Sequence, residues 1–314
     1  MTVSHDPANP LVVVVGITGL QGGSVARALI DSDKPYRIRG LTRDASKPAA
    51  QTFAAQGVQI VSVSLTTDNV GNVRKAFEGA DIVFAVTNFN EHMDKQREID
   101  EGKMMVTTAK DVGVKLFIWS ALESLSAPSG GKYSSVGFFE AKHEITEYAK
   151  SSKIPLAVVP AGYYASNVFE ASYALKKQAD GSYVFGLPVP ASTQVPVIDV
   201  AYDYGLYVRA AIENPALGAG SEVRSGTLIS FGEIVAQLSK VSGKKITYVQ
   251  MDRETFIEAT GMPKYGPMLS DMFEAFAAHG YYRGKEITSE TMLARKPRSW
   301  ADFLDATQVQ NFFV

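Results

Sequence analysis

Three glycines spaced three apart, Gly16, Gly19 and Gly22, lie between the valine run Val12 to Val15 and the stretch SVARALIDS. A glycine turn between a buried strand and a helix lets backbone N–H groups and the helix N-terminus approach a pyrophosphate. A side chain at any of the three would obstruct that approach or the packing of helix on strand. Thr18 and Gln21 lie in the same turn and are assigned with it to cofactor binding. Alone, GxxGxxG is a weak motif, and a structural turn without a ligand is its competing reading; the valines ahead and the helical pattern behind favour a nucleotide. The second signal is GLTRDASKP, which places Arg43 about twenty residues past the glycines, where an acid binds the ribose 2′-hydroxyl of NAD and an arginine accommodates the 2′-phosphate of NADP. Arg43, with Lys47 close behind, predicts NADP(H) as the preferred cofactor and NAD(H) as the alternative. Asp44 alongside softens that preference, and a solvated surface arginine is the competing reading.

These groups need a scaffold, and the first half of the chain supplies its pattern. Apolar runs at 11–16, 36–43, 58–65, 80–87, 114–121 and 154–162 alternate with helical stretches starting near Gly22, Ala45, Val70, Asp94 and Phe138. Such alternation predicts an α/β fold, a Rossmann-type doubly wound parallel sheet. After Gly162 the alternation breaks into YYASNVFEASYALKK and the turn-rich DGSYVFGLPVPAS. VPVIDVAYDYGLYVRAAI reads as a return to the core, a short strand, Asp199 and a helix. FGEIVAQLSKVSGKKITYVQM and the Met- and aromatic-rich MLSDMFEAFAAHGYY follow, the latter expected mainly as core. The domain expectation is therefore a dinucleotide-binding unit over 1–162 with a return segment at about 195–225, and a smaller, discontinuous C-terminal α+β unit from 163–194 and 226–314 that caps the nucleotide crevice.

Composition removes several function classes. The 314 residues are 46% hydrophobic and 20% charged, enough for a sizeable core, and the formal net charge of -2 provides no basic field for a nucleic-acid backbone. The absence of cysteine excludes disulfides, thiolate metal sites and a catalytic thiol. His5, His92, His143 and His279 are scattered and show no metal-ligand spacing. The polar start MTVSHDPANP does not read as a secretory signal, and no apolar window approaches the roughly 18 residues of a membrane span. The expected location is cytoplasmic, with the nucleus as the alternative.

VVGITGLQGGSVARALI, RGLTRDASKPAAQTFAAQGVQIV, AFEGADIVFAVTNF, IWSALES and FFEAKHEITEYAKSSKIPLAVVPAGYYASN together resemble the NmrA-like branch of the atypical short-chain dehydrogenase/reductase superfamily. The likeness runs from residue 11 to about residue 170 and continues more weakly through VPVIDVAYDYG and TGMPKYG. The resemblance implies NAD(P) binding; the family holds regulators, and isoflavone and phenylcoumaran reductases are related enzymes. Active short-chain dehydrogenases use a Tyr as proton donor and a Lys one helical turn later, which binds the nicotinamide ribose and lowers the Tyr pKa. Phe138 and Lys142 stand at that spacing here. A phenyl ring cannot donate a proton, but isoflavone-reductase-like relatives also lack the Tyr and work through the Lys. The resemblance further implies Ser120 beside the substrate, Thr87 and Asn88 along the riboses, and Asn167 near the nicotinamide end. Leu65 takes the adenine position, where the chain departs from its relatives in reading Ser64-Leu65 instead of an Asp-Leu or Asp-Val pair. Tyr133, His143, Tyr163 and Tyr164 are further donors, none at a diagnostic spacing.

A cofactor-sensing regulator is the expected function, and a reductase is the alternative. The missing Tyr favours a cofactor-sensing regulator in which Lys142 anchors the ribose and a protein partner, such as a transcription factor, reads the bound state. The retained Lys142, with Ser120, supports an NADPH-dependent reductase of small aromatic or carbonyl compounds.

Overall fold

The chain, described from a computed structural model, is defined over residues 3–170 and 175–313; residues 1–2, 171–174 and 314 lie outside the description, and with them part of the YYASNVFEASYALKK stretch. Strand β1 (Leu11–Val15) is buried along its whole length. Val12 and Val14 enter one hydrophobic cluster, Val13 and Val15 another, because successive strand side chains point to opposite faces. A strand covered on both faces reads as an unbroken apolar run, which is why the valines signalled it. With β2 (Arg37–Thr42), β3 (Gln59–Ser62), β4 (Ile82–Ala85), β5 (Leu116–Trp119) and β6 (Leu156–Val158) it forms a parallel sheet of order β3-β2-β1-β4-β5-β6. This is the Rossmann-type order, and the chain reverses direction across the sheet between β1 and β4, where such folds open a ligand crevice. All six expected strands are present, each shorter than its apolar run.

Helices α1 (Leu20–Ile30), α2 (Pro48–Ala54), α3 (Val70–Phe77), α4 (Lys95–Asp111) and α5 (Gly137–Ser151) alternate with these strands. The second starts at Pro48 rather than near Ala45 for a local reason. Asp44 Oδ1 accepts bonds from the Ser46 amide (2.9 Å) and hydroxyl (2.6 Å), which holds a turn, and Pro48 then opens the helix with its φ already set. On one face of the sheet, α3, α4 and α5 pack Phe77, Met105 and Ile145 against Val13 and Val15.

Beyond the sixth strand come β7 (Tyr163–Tyr164), α6 (Asn167–Glu170), β8 (Leu175–Lys177), β9 (Tyr183–Leu187), β10 (Gln194–Ile198) and α7 (Val200–Glu213). The expected strand, Asp199 and helix are all found, with Asp199 capping α7. That helix lies on α1 with the backbones almost touching: the Gly205 amide donates to Ser24 Oγ (2.9 Å), and a Cβ at Gly205 would fall 2.1 Å from the Ser24 carbonyl oxygen. Tyr204 and Tyr207 thereby join Val12 and Val14 on the second face of the sheet.

The chain continues through β11 (Thr227–Ser230), α8 (Phe231–Ser242), β12 (Ile246–Gln250), α9 (Arg253–Thr260), α10 (Gly266–His279) and α11 (Trp300–Ala306). Two small sheets, β11-β10-β7 and β12-β9-β8, mix parallel and antiparallel pairs. Ser230 and Glu233 form a capping box at the start of α8, and left-handed Gly243 ends it, as the Gly turn before Lys244 implied. Phe185, Phe231, Phe273, Phe276 and Trp300 gather in a third cluster, so the Met- and aromatic-rich α10 is core. Phe139 of α5 and Tyr163 of β7 belong to the same cluster, which places the C-terminal elements against the crevice end of the parallel sheet.

Candidate active site

The glycine turn lies at the C-terminal edge of β1. Gly16 has φ +66°, a left-handed conformation, while a Cβ there would make only ordinary contact with Val86; its requirement is conformational, not spatial. Gly22 is the reverse case. A Cβ there would sit 2.2 Å from the Gly16 carbonyl oxygen and 2.6 Å from that of Val15, so Gly22 sets how closely α1 meets the strand. Gly19 is the N-cap of α1 and brings no side-chain cap, and the first turn holds no acid. Uncapped amides and the positive end of the helix dipole together suit a pyrophosphate. The arrangement fits a dinucleotide. Thr18 ties the turn to the end of β2 through its hydroxyl, 3.4 Å from that of Thr42.

At the end of β2, Arg43 is exposed and pairs with Glu91 at 2.8 Å. The other Glu91 oxygen accepts from Asn88 Nδ2 at 2.8 Å, so a polar bridge runs from Arg43 to the loop after β4. Asp44, partly exposed, has its carboxyl held below the ordinary range by the two bonds from Ser46. Lys47 is exposed at the N-cap of α2, close to Asp44. Arg39, Arg43, Ser62, Ser64 and Lys75 line an open cavity of about 450 Å³ beside β2 and β3, with no acid in its wall. Leu65, next to Ser64, is partly buried against the core cluster of Val13 and Val63.

Lys142 projects from α5 into the interior, 8% exposed. Its ammonium donates to Thr87 Oγ1 (2.8 Å) and to the Thr87 carbonyl (3.2 Å), and lies 3.4 Å from Glu98 Oε1. Thr87 completes a triangle by donating its hydroxyl to Glu98 Oε1 at 2.5 Å. Glu98 is fully buried in the first turn of α4, where the helix dipole favours an anion, and its Oε2 has no hydrogen-bond partner. The Trp119 ring centroid is 5.1 Å from the Lys142 ammonium, and the indole N–H donates to the Lys142 carbonyl. Burial lowers the Lys142 pKa from its ordinary value, and Glu98 opposes the shift.

Ser120 follows β5 and is buried. Its hydroxyl donates to Gln21 Oε1 at 2.6 Å, and Gln21 Nε2 donates to the Tyr164 hydroxyl at 2.6 Å. Phe138, one helical turn before Lys142, packs against Phe139 and Phe89 with centroids 5.0 and 5.8 Å away.

The fold therefore brings Gly16, Gly19, Gln21, Gly22 and Ser120 to one edge, sets Thr87 on Lys142, and joins Asn88 to Arg43 through Glu91. Asn167 opens α6, three residues past Tyr164, and is partly exposed. Tyr133 is buried with its hydroxyl accepting from Lys132, and His143 is partly exposed on α5. Glu98 and Glu91 were not legible beforehand: within NEHMDKQREIDEGK they are two of several charges, and helical phase does not mark one acid as fully buried. Among the described residues there is no cluster able to hold a metal ion, and no helix is long and apolar enough to cross a membrane.

A family model described as the NmrA-like family matches residues 8–304. An NmrA-like family domain-containing oxidoreductase, cpsB of Aspergillus campestris, is 29% identical over 306 residues, covering 90% of this chain and 88% of the relative. The negative transcriptional regulator NmrA aligns in its NADP complex with TM-score 0.70 at 21% identity, over 94% of this chain and 89% of that one. In its NAD complex the TM-score is 0.76 at 20% identity, over 94% of both chains. The NADPH-dependent quinone oxidoreductase QOR2 of Escherichia coli, complexed with NADPH, gives TM-score 0.76 at 20% identity, over 95% of this chain and 99% of that one.

Proposed function

Because the chain belongs to the NmrA-like family, we propose that it is a nicotinamide-dinucleotide-dependent reductase of small aromatic or carbonyl compounds, with NADP(H) as the preferred cofactor. The observation that carries this reading is the buried triangle of Lys142, Thr87 and Glu98, which holds a cationic proton carrier beside the nucleotide crevice. A ribose anchor alone does not need a buried counter-charge, since a lysine can reach a sugar hydroxyl from the surface. Bound NADPH supplies the hydride. The turn of Gly16, Thr18, Gly19, Gln21 and Gly22 holds the pyrophosphate through backbone amides, and Arg43 with Lys47 receives the 2′-phosphate. Leu65 borders the adenine, Asn88 and Thr87 the riboses, and Asn167 the nicotinamide end. Lys142 holds the nicotinamide ribose and keeps positive charge near the reacting carbonyl, while Ser120 orients the substrate. The names of curated relatives such as cpsB point the same way.

A second reading rests on Phe138. With no hydroxyl at that position, the same scaffold serves as a sensor whose occupancy by NADP(H) is read by a protein partner, as the regulator NmrA suggests. Sensing requires different affinities for the two cofactor forms or two protein conformations. The deciding experiment uses NADPH deuterated at nicotinamide C4, on each face in turn, with a small-molecule extract and mass spectrometry. Protein-dependent deuterium transfer that disappears in Lys142→Ala supports the reductase. Tight NADPH binding with no transfer from either face refutes it in favour of the sensor.

A further inference from the structure

We propose that Tyr164 is the proton donor that replaces the tyrosine missing at position 138, with Gln21 and Ser120 as its positioning residues. The inference deepens the reductase reading and rests on it. Three separate elements converge to build this group: Gln21 comes from the first turn of α1, Ser120 from just past the end of β5, and Tyr164 from β7 just beyond β6. All lie at the C-terminal side of the parallel strands, the side on which ligands bind in this architecture.

The direction of the hydrogen bonds matters more than their presence. Ser120 donates to Gln21 Oε1, which leaves the Gln21 amide nitrogen to donate to the phenol oxygen. Tyr164 is therefore an acceptor in this chain, and its own hydrogen is not consumed by it. Its tyrosine neighbours are arranged differently. Tyr204 donates to the Val159 carbonyl, Tyr281 to that of Ala161, and Tyr282 to those of Pro160 and Ser225. These three are buried and clamp the segment between β6 and β7, whereas Tyr164 is partly exposed. Tyr204 and Tyr281 lie close enough to feel the Tyr164 charge, which adds to the burial that raises both, so they are neutral phenols at neutral pH. Burial also raises the Tyr164 pKa, so the group enters a reaction protonated, while the Gln21 N–H opposes the rise by stabilising the phenolate.

The step balances with the reduced nicotinamide as hydride donor. A C–H bond forms at the substrate carbonyl carbon, the C=O π pair moves to oxygen, and that oxygen takes the Tyr164 proton. The phenolate left behind is held by the Gln21 N–H and regains a proton from water. One reduced cofactor and one proton are consumed, and an alcohol is released.

The test compares full-length wild type with Tyr164→Phe, using 9,10-phenanthrenequinone as carbonyl probe. NADPH affinity is measured by fluorescence, single-turnover hydride transfer in H₂O and D₂O, and the Tyr164 ring signal by NMR of ¹³C-tyrosine-labelled protein. Tyr164→Phe is expected to leave NADPH affinity within about twofold, lower the transfer rate about 10²- to 10⁴-fold and abolish the solvent isotope effect. In Gln21→Leu the Tyr164 signal is expected to titrate at higher pH than in wild type, and the pH above which hydride transfer falls is expected to move with it, a coupling that a merely structural role would not produce. A Tyr164→Phe rate within threefold of wild type with the isotope effect intact, or a Tyr164 titration indifferent to Gln21→Leu, overturns the assignment while leaving the reductase reading standing. Absence of hydride transfer in the wild type, to this probe and to the extract, overturns both.

Discussion

Replacing Lys142 by Met removes the cation from an environment built around it. Glu98 has no exposed surface, and its ion-pair partner is Lys142 at 3.4 Å. Met fills much of the same volume, so the loss is electrostatic rather than a cavity. Removing one member of a buried pair leaves an uncompensated charge and costs about 3–5 kcal/mol. For a chain of this length each kcal/mol lowers the melting midpoint by about 2 °C, so a drop of about 6–10 °C is expected. Glu98→Leu alone is expected to destabilise similarly, because it strands the ammonium with the Thr87 oxygens and the Trp119 ring. The double substitution Lys142→Met with Glu98→Leu removes both charges together, and an apolar pair in place of a buried ion pair is neutral or stabilising. A double-mutant cycle of melting midpoints in the absence of cofactor isolates the coupling. The double variant should lie within about 1–2 kcal/mol of wild type, well short of the sum of the singles. Additive losses, or a Lys142→Met midpoint within 2 °C of wild type, would refute the view that the two charges compensate each other.

Gly22→Ala is expected to lose measurable NADPH binding and to destabilise by about 1–3 kcal/mol, since its Cβ would meet backbone at 2.2 Å; fluorescence titration and a melt check both. Glu91→Gln frees Arg43 from an exposed ion pair worth about 0.2–1 kcal/mol, so the ratio of NADPH to NADH affinity should rise up to about fivefold by calorimetry, and Arg43→Ala should lower it; no change in either variant removes Arg43 from the cofactor site. Alkaline stability should follow the buried tyrosines. Burial raises Tyr204, Tyr281 and Tyr282 and pushes Tyr207 up to about 12. An acid whose folded pKa lies above its unfolded value of about 10 contributes fully below that pH and loses its contribution as pH rises through the folded value. The melting midpoint should therefore hold to about pH 10 and then fall steeply; phenolate absorbance from all 14 tyrosines near pH 10, with circular dichroism unchanged, would contradict this.

The sequence by itself determined the parts whose cause is local or periodic. Four valines and a glycine turn specify a buried central strand entering a helix, because parallel strands hide both faces and only glycine meets the left-handed φ of position 16 or the backbone contact at position 22. Asp199 before a helical pattern announced a helix start through capping chemistry. The family resemblance added Lys142 and Ser120, but not what they touch. Tertiary structure alone decided that Glu98 is the buried acid, that Thr87 stands between it and Lys142, and that Tyr164, rather than Tyr133 or His143, meets Gln21. Gln21 and Tyr164 are 143 residues apart, and Ser120 is 99 from Gln21. Hydrophobic periodicity reports which face of an element is buried. Which polar groups then share that interior is set by the order in which the sheet assembles its strands, and no local pattern encodes it.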